Sequence, residues 1–329
     1  MKERKLSLVI ALVLALSMFA LQTQAWAKYP TKPIELYTPY GPGGESDLAA
    51  RSLASVAHSY IGQPVMVVNK GGAGGAIACS FLKNARPDGY VLLLARIGSN
   101  AILPALNPKL PYKYDDFSMM ALLEINPYVV VVQTDSPIKS LKDLAETLKN
   151  KPGTLNYSTS GPGTILNMGV QLFIDLIGAK KDAATMIPYK SGGEAAASLL
   201  GGHVQFMGIN ITPVMSHIQG GRLRALAVTT EERLKDLPDV PTFKELGYPD
   251  MGIALGWSAL FGPPKLPPEV MDAWTKAMEG IKKDKTWLSL GRRLGSIPRV
   301  LPPAETKSFV DKQYQMYKKL GQKLDLIVK

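Results

Sequence analysis

Short apolar runs alternate with helix-like stretches along most of this chain, and that alternation restricts its fold more than any other feature. Runs of strand character fall at Ile34–Thr38, Val65–Val68, Tyr90–Ala95, Val129–Val132, Thr154–Tyr157, Thr185–Ile187, Val204–Met207, Leu223–Val228 and Ala254–Phe261. Between most of them lie Leu48–Tyr60, Ala73–Asn84, Leu141–Leu148, Thr164–Ile177, Gly193–Leu200 and Pro213–Gln219, which read as helices. Such alternation predicts an α/β fold of mostly parallel sheets flanked by helices. Leu92-Leu93-Leu94 and Val129-Val130-Val131-Val132 are apolar at every position, as strands covered on both faces must be. The C-terminal part differs. One helix starts at Pro267-Pro268-Glu269, with proline in its first turn, and runs to about Lys283; another runs from about Pro303 to Leu324. They are expected to form a packing layer or a clamp over one domain. Punctuation gathers at Asn126-Pro127-Tyr128 and Gly247-Tyr248-Pro249-Asp250. These are natural crossings between two lobes: a discontinuous lobe of residues 28–127 plus 252–329, and an inserted lobe of residues 128–251. The 329 residues suffice for two such lobes.

Residues 1–27 stand apart from that pattern. Lys2, Arg4 and Lys5 precede an apolar run from Leu6 to Leu21, and Ala25-Trp26-Ala27 is a small-x-small cleavage signal. This is a secretory leader, expected to be cut after Ala27, and the mature chain is predicted to be periplasmic. No later run reaches the roughly 20 apolar residues of a membrane-spanning helix. The single cysteine, Cys79, cannot form an internal disulfide and is expected to be buried and inert. The formal charge is +11, and removal of the leader leaves about +9. The positive residues are scattered, with no basic block and no aromatic–basic interleaving, so nucleic acid is not expected as a partner.

Signatures of catalysis are missing. There is no G-x-S-x-G, H-E-x-x-H or C-x-x-C. His58, His203 and His217 have no carboxylate or second histidine at ligand spacing, so no metal is expected. Two glycine-rich stretches fail the G-x-G-x-x-G pattern, because Ile77 and Ser46 stand at the third glycine position, and neither carries the lysine of a phosphate-binding loop. No cofactor is therefore expected, nor any enzymatic activity. What remains is a matched pair of strand-to-helix turns, Gly41-Pro42-Gly43-Gly44-Glu45-Ser46-Asp47 and Ser158-Thr159-Ser160-Gly161-Pro162-Gly163-Thr164. Each offers backbone N–H groups, small hydroxyls and the positive end of a helix dipole, which together bind an anion without a charged side chain. One turn falls in each expected lobe, so a carboxylate could be held between them.

A series of short motifs accompanies these turns. It begins with Tyr29-Pro30-Thr31-Lys32-Pro33-Ile34 and Pro39-Tyr40-Gly41-Pro42-Gly43-Gly44 with Asp47 and Ala50-Arg51. Gly62-Gln63-Pro64-Val65, Asn69-Lys70-Gly71-Gly72-Ala73-Gly74-Gly75 and Pro87-Asp88-Gly89-Tyr90 follow. Leu155-Asn156-Tyr157, Gly161 to Thr164, Pro188-Tyr189-Lys190, Gly201-Gly202-His203-Val204, Arg224-Ala225-Leu226-Ala227-Val228 and Leu237-Pro238-Asp239-Val240-Pro241-Thr242 complete it. In this order the chain resembles, over essentially its whole mature length, the periplasmic substrate-binding proteins of tripartite tricarboxylate transporters, the Bug-type receptors.

The resemblance implies a two-lobed, Venus-flytrap receptor without enzymatic activity. It implies a small carboxylate as ligand and a two-component membrane permease as partner, and the chain is expected to act as a monomer. Carried over, the carboxylate site is Tyr40, Gly43, Gly44 and Ser46 from one lobe and Ser158, Ser160, Gly163 and Thr164 from the other, with Asn210 as a distal contact. Asp47 is expected to brace its own turn, since an anion would repel it. Three departures bear on the ligand: Asn167 where many relatives have His, Ile209 where Asp often precedes Asn210, and Arg96-Ile97-Gly98-Ser99-Asn100 at a strand exit that is usually small and hydroxyl-rich. Arg96 could pair with a second carboxylate, with Ser99 nearby, so a dicarboxylate, aliphatic or aromatic, is the expected ligand. The alternatives are a receptor that presents its ligand to a sensor kinase, and an exported enzyme on the same fold.

Overall fold

The computed structural model describes residues 29–328. The expected leader and its cleavage site lie outside the described residues. The first lobe opens with β1 (Ile34–Thr38), α1 (Glu45–Ile61), β2 (Val65–Asn69), α2 (Ala76–Lys83), β3 (Val91–Arg96) and the short α3 (Leu103–Leu106). One long strand, β4 (Ser118–Gln133), leads into α4 (Leu141–Asn150), β5 (Leu155–Thr159), α5 (Ile165–Leu176) and β6 (Ala184–Pro188). Next come α6 (Gly192–Leu200), β7 (Phe206–Asn210), α7 (Met215–Gln219) and β8 (Leu223–Val228). The chain returns through β9 (Leu255–Gly262) and ends with α8 (Pro268–Ile281), α9 (Lys285–Arg293), β10 (Ile297–Leu301) and α10 (Pro303–Lys323).

The strands follow the order β2-β1-β3-β9-β4-β7-β5-β6, with β8 and β10 also pairing to β4. Parallel pairing joins β1 to β2 and β3, and β5 to β6 and β7. The inner strands are antiparallel. β4 carries the chain out of the first lobe and β9 brings it back beside β4, Leu255 opposite Pro127 and Gly262 opposite Ser118. An outgoing and a returning strand that pair must run in opposite senses, so the parallel character predicted from the sequence is confined to the outer strands.

β4 changes partners midway. Its first half pairs with β9 and β10 and its second half with β7 and β8. The change comes at Asn126-Pro127-Tyr128. Pro127 has no N–H to donate, but its carbonyl accepts from the Ile211 amide at 2.8 Å. Of β4 only Val129–Val132 was legible as a strand, and β10 and α9 were not read at all. β10 is a half-exposed edge strand containing Pro298, and α9 is a polar helix of 9 residues that buries only Trp287 and Gly291, so neither offers an apolar run to read.

Two apolar clusters hold the lobes together. The larger runs from β3 and β4 through β5, β7 and α5 and takes in Tyr128, Tyr157, Phe206 and Trp257. The smaller packs α1 and α8 on the other face of the first sheet, around Leu36, Leu94 and Trp274. Trp274 donates from Nε1 to the Tyr29 hydroxyl at 2.9 Å, and the Tyr29 amide donates to Glu269 at 3.0 Å, so α8 anchors the segment that leads into β1. Cys79 is buried, and burial pushes its thiol up to about 12.

Candidate functional site

Both glycine-rich turns close on one cavity between the lobes. Its walls are Tyr40, Gly44, Glu45, Ser46, Arg96, Ile97 and Gly98 from the first lobe, and Ser160, Thr164, Ile165, Leu166, Gly192, Ile209, Asn210 and Pro213 from the second. The empty space at this site, including the part open to solvent, is about 430 Å³. α1 starts at Glu45 behind Gly44, and α5 starts at Ile165 behind Thr164. Neither helix has a side-chain cap on its first turn. The first amides of a helix have no partner within it, so two uncapped N-termini from opposite lobes present free donors and two positive dipole ends to the same space.

The first turn is held by Asp47. Its Oδ2 accepts from the Gly43 amide at 3.0 Å, and its Oδ1 accepts from Arg51 Nε at 3.0 Å and Asn69 Nδ2 at 3.1 Å. Asn69 also donates to the Thr38 hydroxyl at 2.8 Å, tying the turn to β1 and β2. Gly43 reaches this arrangement at a φ of 73°, which a side chain would strain. Burial alone would raise the Asp47 carboxyl. The hydrogen bonds from Arg51, Gly43 and Asn69 outweigh it and hold the group below the ordinary carboxylate range. A carboxyl lowered on folding contributes stability above its unfolded value, and that contribution is lost as pH falls through the folded value. The melting temperature of wild type should therefore exceed that of Asp47→Asn most near pH 7, with the gap closing below about pH 4. A gap independent of pH would show that Asp47 is not ionised in the fold.

The second turn is braced differently. The Thr164 hydroxyl donates to the Gly161 carbonyl at 2.8 Å and lies 3.3 Å from that of Thr159. Of the residues expected at the site, Tyr40, Gly44, Ser46, Ser160, Thr164, Asn210 and Arg96 line the cavity; Gly43, Ser99, Ser158, Gly163 and Asn167 do not. Gly43 sits behind the wall with its amide on Asp47. Ser99 turns to Asn100 at 2.7 Å, and Ser158 donates to the Ala195 carbonyl at 2.9 Å. Asn167 accepts from Tyr157 at 2.7 Å and donates to the Pro162 carbonyl at 2.9 Å. Gly163 faces α3, where an added Cβ would stand 2.6 Å from Leu103 Cδ1.

Arg96 is at the wall but is already engaged. It is 3 % exposed; its Nη2 pairs with Glu45, and its Nη1 donates to Asn126 Oδ1 at 3.3 Å and to the Ser258 hydroxyl. The free guanidinium expected for a second carboxylate is therefore tied up by residues of three different elements, α1, β4 and β9. Glu45 is the main site residue that sequence reasoning overlooked, although it stands inside the first glycine-rich turn. Burial pushes its carboxyl up to about 7, against the pull of Arg96 and with a smaller push from Glu124. Ser191-Gly192-Gly193 was also overlooked. It meets the first turn across the cleft, with Ser191 Oγ 3.5 Å from the Pro42 carbonyl. The lobes thus touch, glycine against glycine.

Among the described residues no group of three metal-ligating side chains occurs, and no helix is long and apolar enough to cross a membrane. Comparison with known proteins agrees with the geometry. A family model, the tripartite tricarboxylate transporter family receptor, matches residues 49–326. Protein BugT of Bordetella pertussis is 32% identical over 319 residues, covering 96% of each chain. The solved periplasmic binding protein BugD superposes with a TM-score of 0.85 at 29% identity, over 92% of this chain and all of that one. MatC from Rhodopseudomonas palustris, solved with bound malate, superposes with a TM-score of 0.83 at 26% identity, over 89% of this chain and 99% of that one. A two-lobed periplasmic binding fold, two uncapped helix starts facing one cleft and a family match over most of its length establish that this chain belongs to the tripartite tricarboxylate transporter receptor family.

Proposed function

We propose that this chain, exported and cut after Ala27, is a monomeric receptor that captures a small organic acid between its lobes and delivers it to a two-component membrane permease. It carries out no chemistry on the solute. The observation that carries this reading is the convergence of the α1 and α5 N-termini on one cavity between the lobes. The lobes are taken to divide at residues 128 and 251, where β4 changes partners and β9 is about to begin. A ligand bridging the two turns contacts both only when the lobes are shut, so binding shifts the population toward the closed form that a permease would read.

A dicarboxylate is the second reading. It is favoured by MatC, which holds malate, and opposed by the engagement of Arg96 with Glu45. The test is thermal unfolding of mature protein stripped of carried-over ligand by unfolding and refolding, against mono-acids, hydroxy acids, dicarboxylates, tricarboxylates and amino acids. A ligand at about 100 times its Kd adds about 2.7 kcal/mol and should raise the melting temperature by several degrees. A shift with carboxylates that is absent for the matching amides and alcohols is expected. Equal shifts for acids and their uncharged analogues would overturn the carboxylate grip.

A further inference from the structure

We propose that the part of the cleft beyond the carboxylate grip receives a cationic amino group on Glu45 and Asn210, so that the solute is an amino acid with an uncharged side chain rather than a diacid. This rests on the carboxylate reading above and deepens it.

The argument starts from the polar atoms left free on the cavity wall. Glu45 Oε1, Asn210 Oδ1 and Ser46 Oγ are buried and have no partner. The hydroxyl of Ser46 belongs to the first turn and suits a carboxylate. The other two are acceptors. Asn210 donates from Nδ2 to the Asn126 carbonyl at 3.1 Å, which fixes its Oδ1 as the free atom. Glu45 uses Oε2 on Arg96, and Oε1 remains. The unpartnered amide and indole donors around Arg96, Asn100 Nδ2, Asn126 Nδ2 and Trp257 Nε1, belong to residues that do not line the cavity. Buried acceptors without donors are costly, so the missing component is a donor. Glu45 comes from the start of α1 and Asn210 from the end of β7, in opposite lobes. A donor that reaches both rewards closure, as the carboxylate does.

Charge selects an ammonium over a hydroxyl. Arg96 on β3 lies between two carboxylates. It pairs with Glu45 directly and reaches Glu124 on β4 through Ser258 on β9, whose hydroxyl donates to Glu124 Oε1 at 2.8 Å. Two carboxylates around one guanidinium leave one negative charge in excess, which a ligand ammonium balances and a second ligand carboxylate would double. Burial, opposed by Arg96 and reinforced by Glu124, accordingly holds the Glu45 carboxyl near neutrality. Tyr40 is the remaining titratable group on the wall, and burial drives its hydroxyl upward, so it stays neutral. The rest of the distal wall is apolar: Ile97, Ile165, Leu166, Ile209 and Pro213. That lining suits an uncharged side chain and disfavours a charged one, which would find no partner there.

The sign of the proton linkage separates the two ligand classes. An ammonium against Glu45 holds it ionised, so binding below about pH 7 releases a proton and weakens as pH falls. A second carboxylate would force Glu45 to take up a proton, and its binding would strengthen as pH falls. The experiment is titration calorimetry on the stripped mature protein with alanine, valine and leucine, their 2-hydroxy and deaminated counterparts, and succinate and malate. Each is run in two buffers of different ionisation enthalpy at pH 6 and 8, and repeated on Glu45→Gln. The expected result is an amino acid at least about tenfold tighter than its deaminated acid, with proton release at pH 6. Glu45→Gln should abolish that preference, so that the amino acid and its deaminated acid bind the variant alike. The proton count in wild type decides the matter even if Glu45→Gln fails to fold. Diacids binding more tightly than amino acids, with proton uptake, would overturn the ammonium assignment and leave the carboxylate receptor standing. Silence from all four classes would overturn both.

Discussion

Gly193→Ala is expected to weaken ligand binding by about 10- to 100-fold, roughly 1.4–2.8 kcal/mol, while leaving the ligand-free protein as stable as wild type. A Cβ at this position would stand 2.7 Å from the Gly43 carbonyl carbon and 2.8 Å from its oxygen. Both are backbone atoms, so no rotamer change relieves the contact. The clash exists only with the lobes shut, because Gly193 belongs to the second lobe and Gly43 to the first. Gly193 is also a residue of α6, where alanine is favoured over glycine by about 1 kcal/mol, so the open protein loses nothing. The substitution therefore acts on the closing equilibrium, and a ligand's apparent affinity falls with the fraction of closable protein. Calorimetric affinity and the melting temperature of ligand-free protein, measured side by side, check it. Unchanged affinity would mean that the liganded lobes do not meet at this glycine pair.

Gly208→Ala should do the reverse, destabilising the whole second lobe and the site with it. The ring of Tyr128 is fully buried between β7 and α5. A Cβ on Gly208 would lie 1.7 Å from its hydroxyl oxygen and 2.5 Å from Cζ, and on the far side a Cβ on Gly169 would lie 2.4 Å from Cζ. The ring thus fills a slot between two glycines and has no room to move. Its hydroxyl donates to the Leu166 carbonyl at 3.3 Å, in the first turn of the helix whose N-terminus faces the cavity. Overpacking here is expected to cost about 3 kcal/mol, and at roughly 2–4 °C per kcal/mol the melting temperature should fall by about 6–12 °C. Binding should weaken as α5 is displaced. In the Gly208→Ala/Tyr128→Phe double variant the closest clash disappears with the hydroxyl, so part of the loss should be recovered. Strict additivity of the two substitutions would argue against this wedge.

Reading the sequence and reading the fold succeed at different distances along the chain. β1 and β8 could be delimited from their residues because an apolar run between breakers is local information. The two glycine-rich turns were legible for the same reason: a turn, a cap position and a helix start occupy consecutive residues. So was the bracing role of Asp47, which bonds within its own turn to Gly43 and Arg51. The first half of β4 escaped notice, because its pairing with β9 joins segments far apart in the chain and Pro127 punctuates it from within.

The sequence by itself determined an α/β chain in two lobes, a matched pair of glycine-rich strand-to-helix turns and the absence of familiar catalytic patterns, since each follows from spacing and residue type over a few positions. Only the tertiary structure decided what each site residue is free to do. Arg96 looked like an open guanidinium in its strand, and became half of a buried pair once α1 carried Glu45 against it and β9 supplied Ser258. Ser99, Ser158 and Asn167 looked like ligand contacts, and their hydroxyls and amide are taken by neighbours. Gly193 looked like a helix start, and lies against Gly43. Hydrogen-bonding capacity and charge are local properties of a residue. Whether they remain available depends on which distant segment packs against them, and that is settled only when the chain closes on itself.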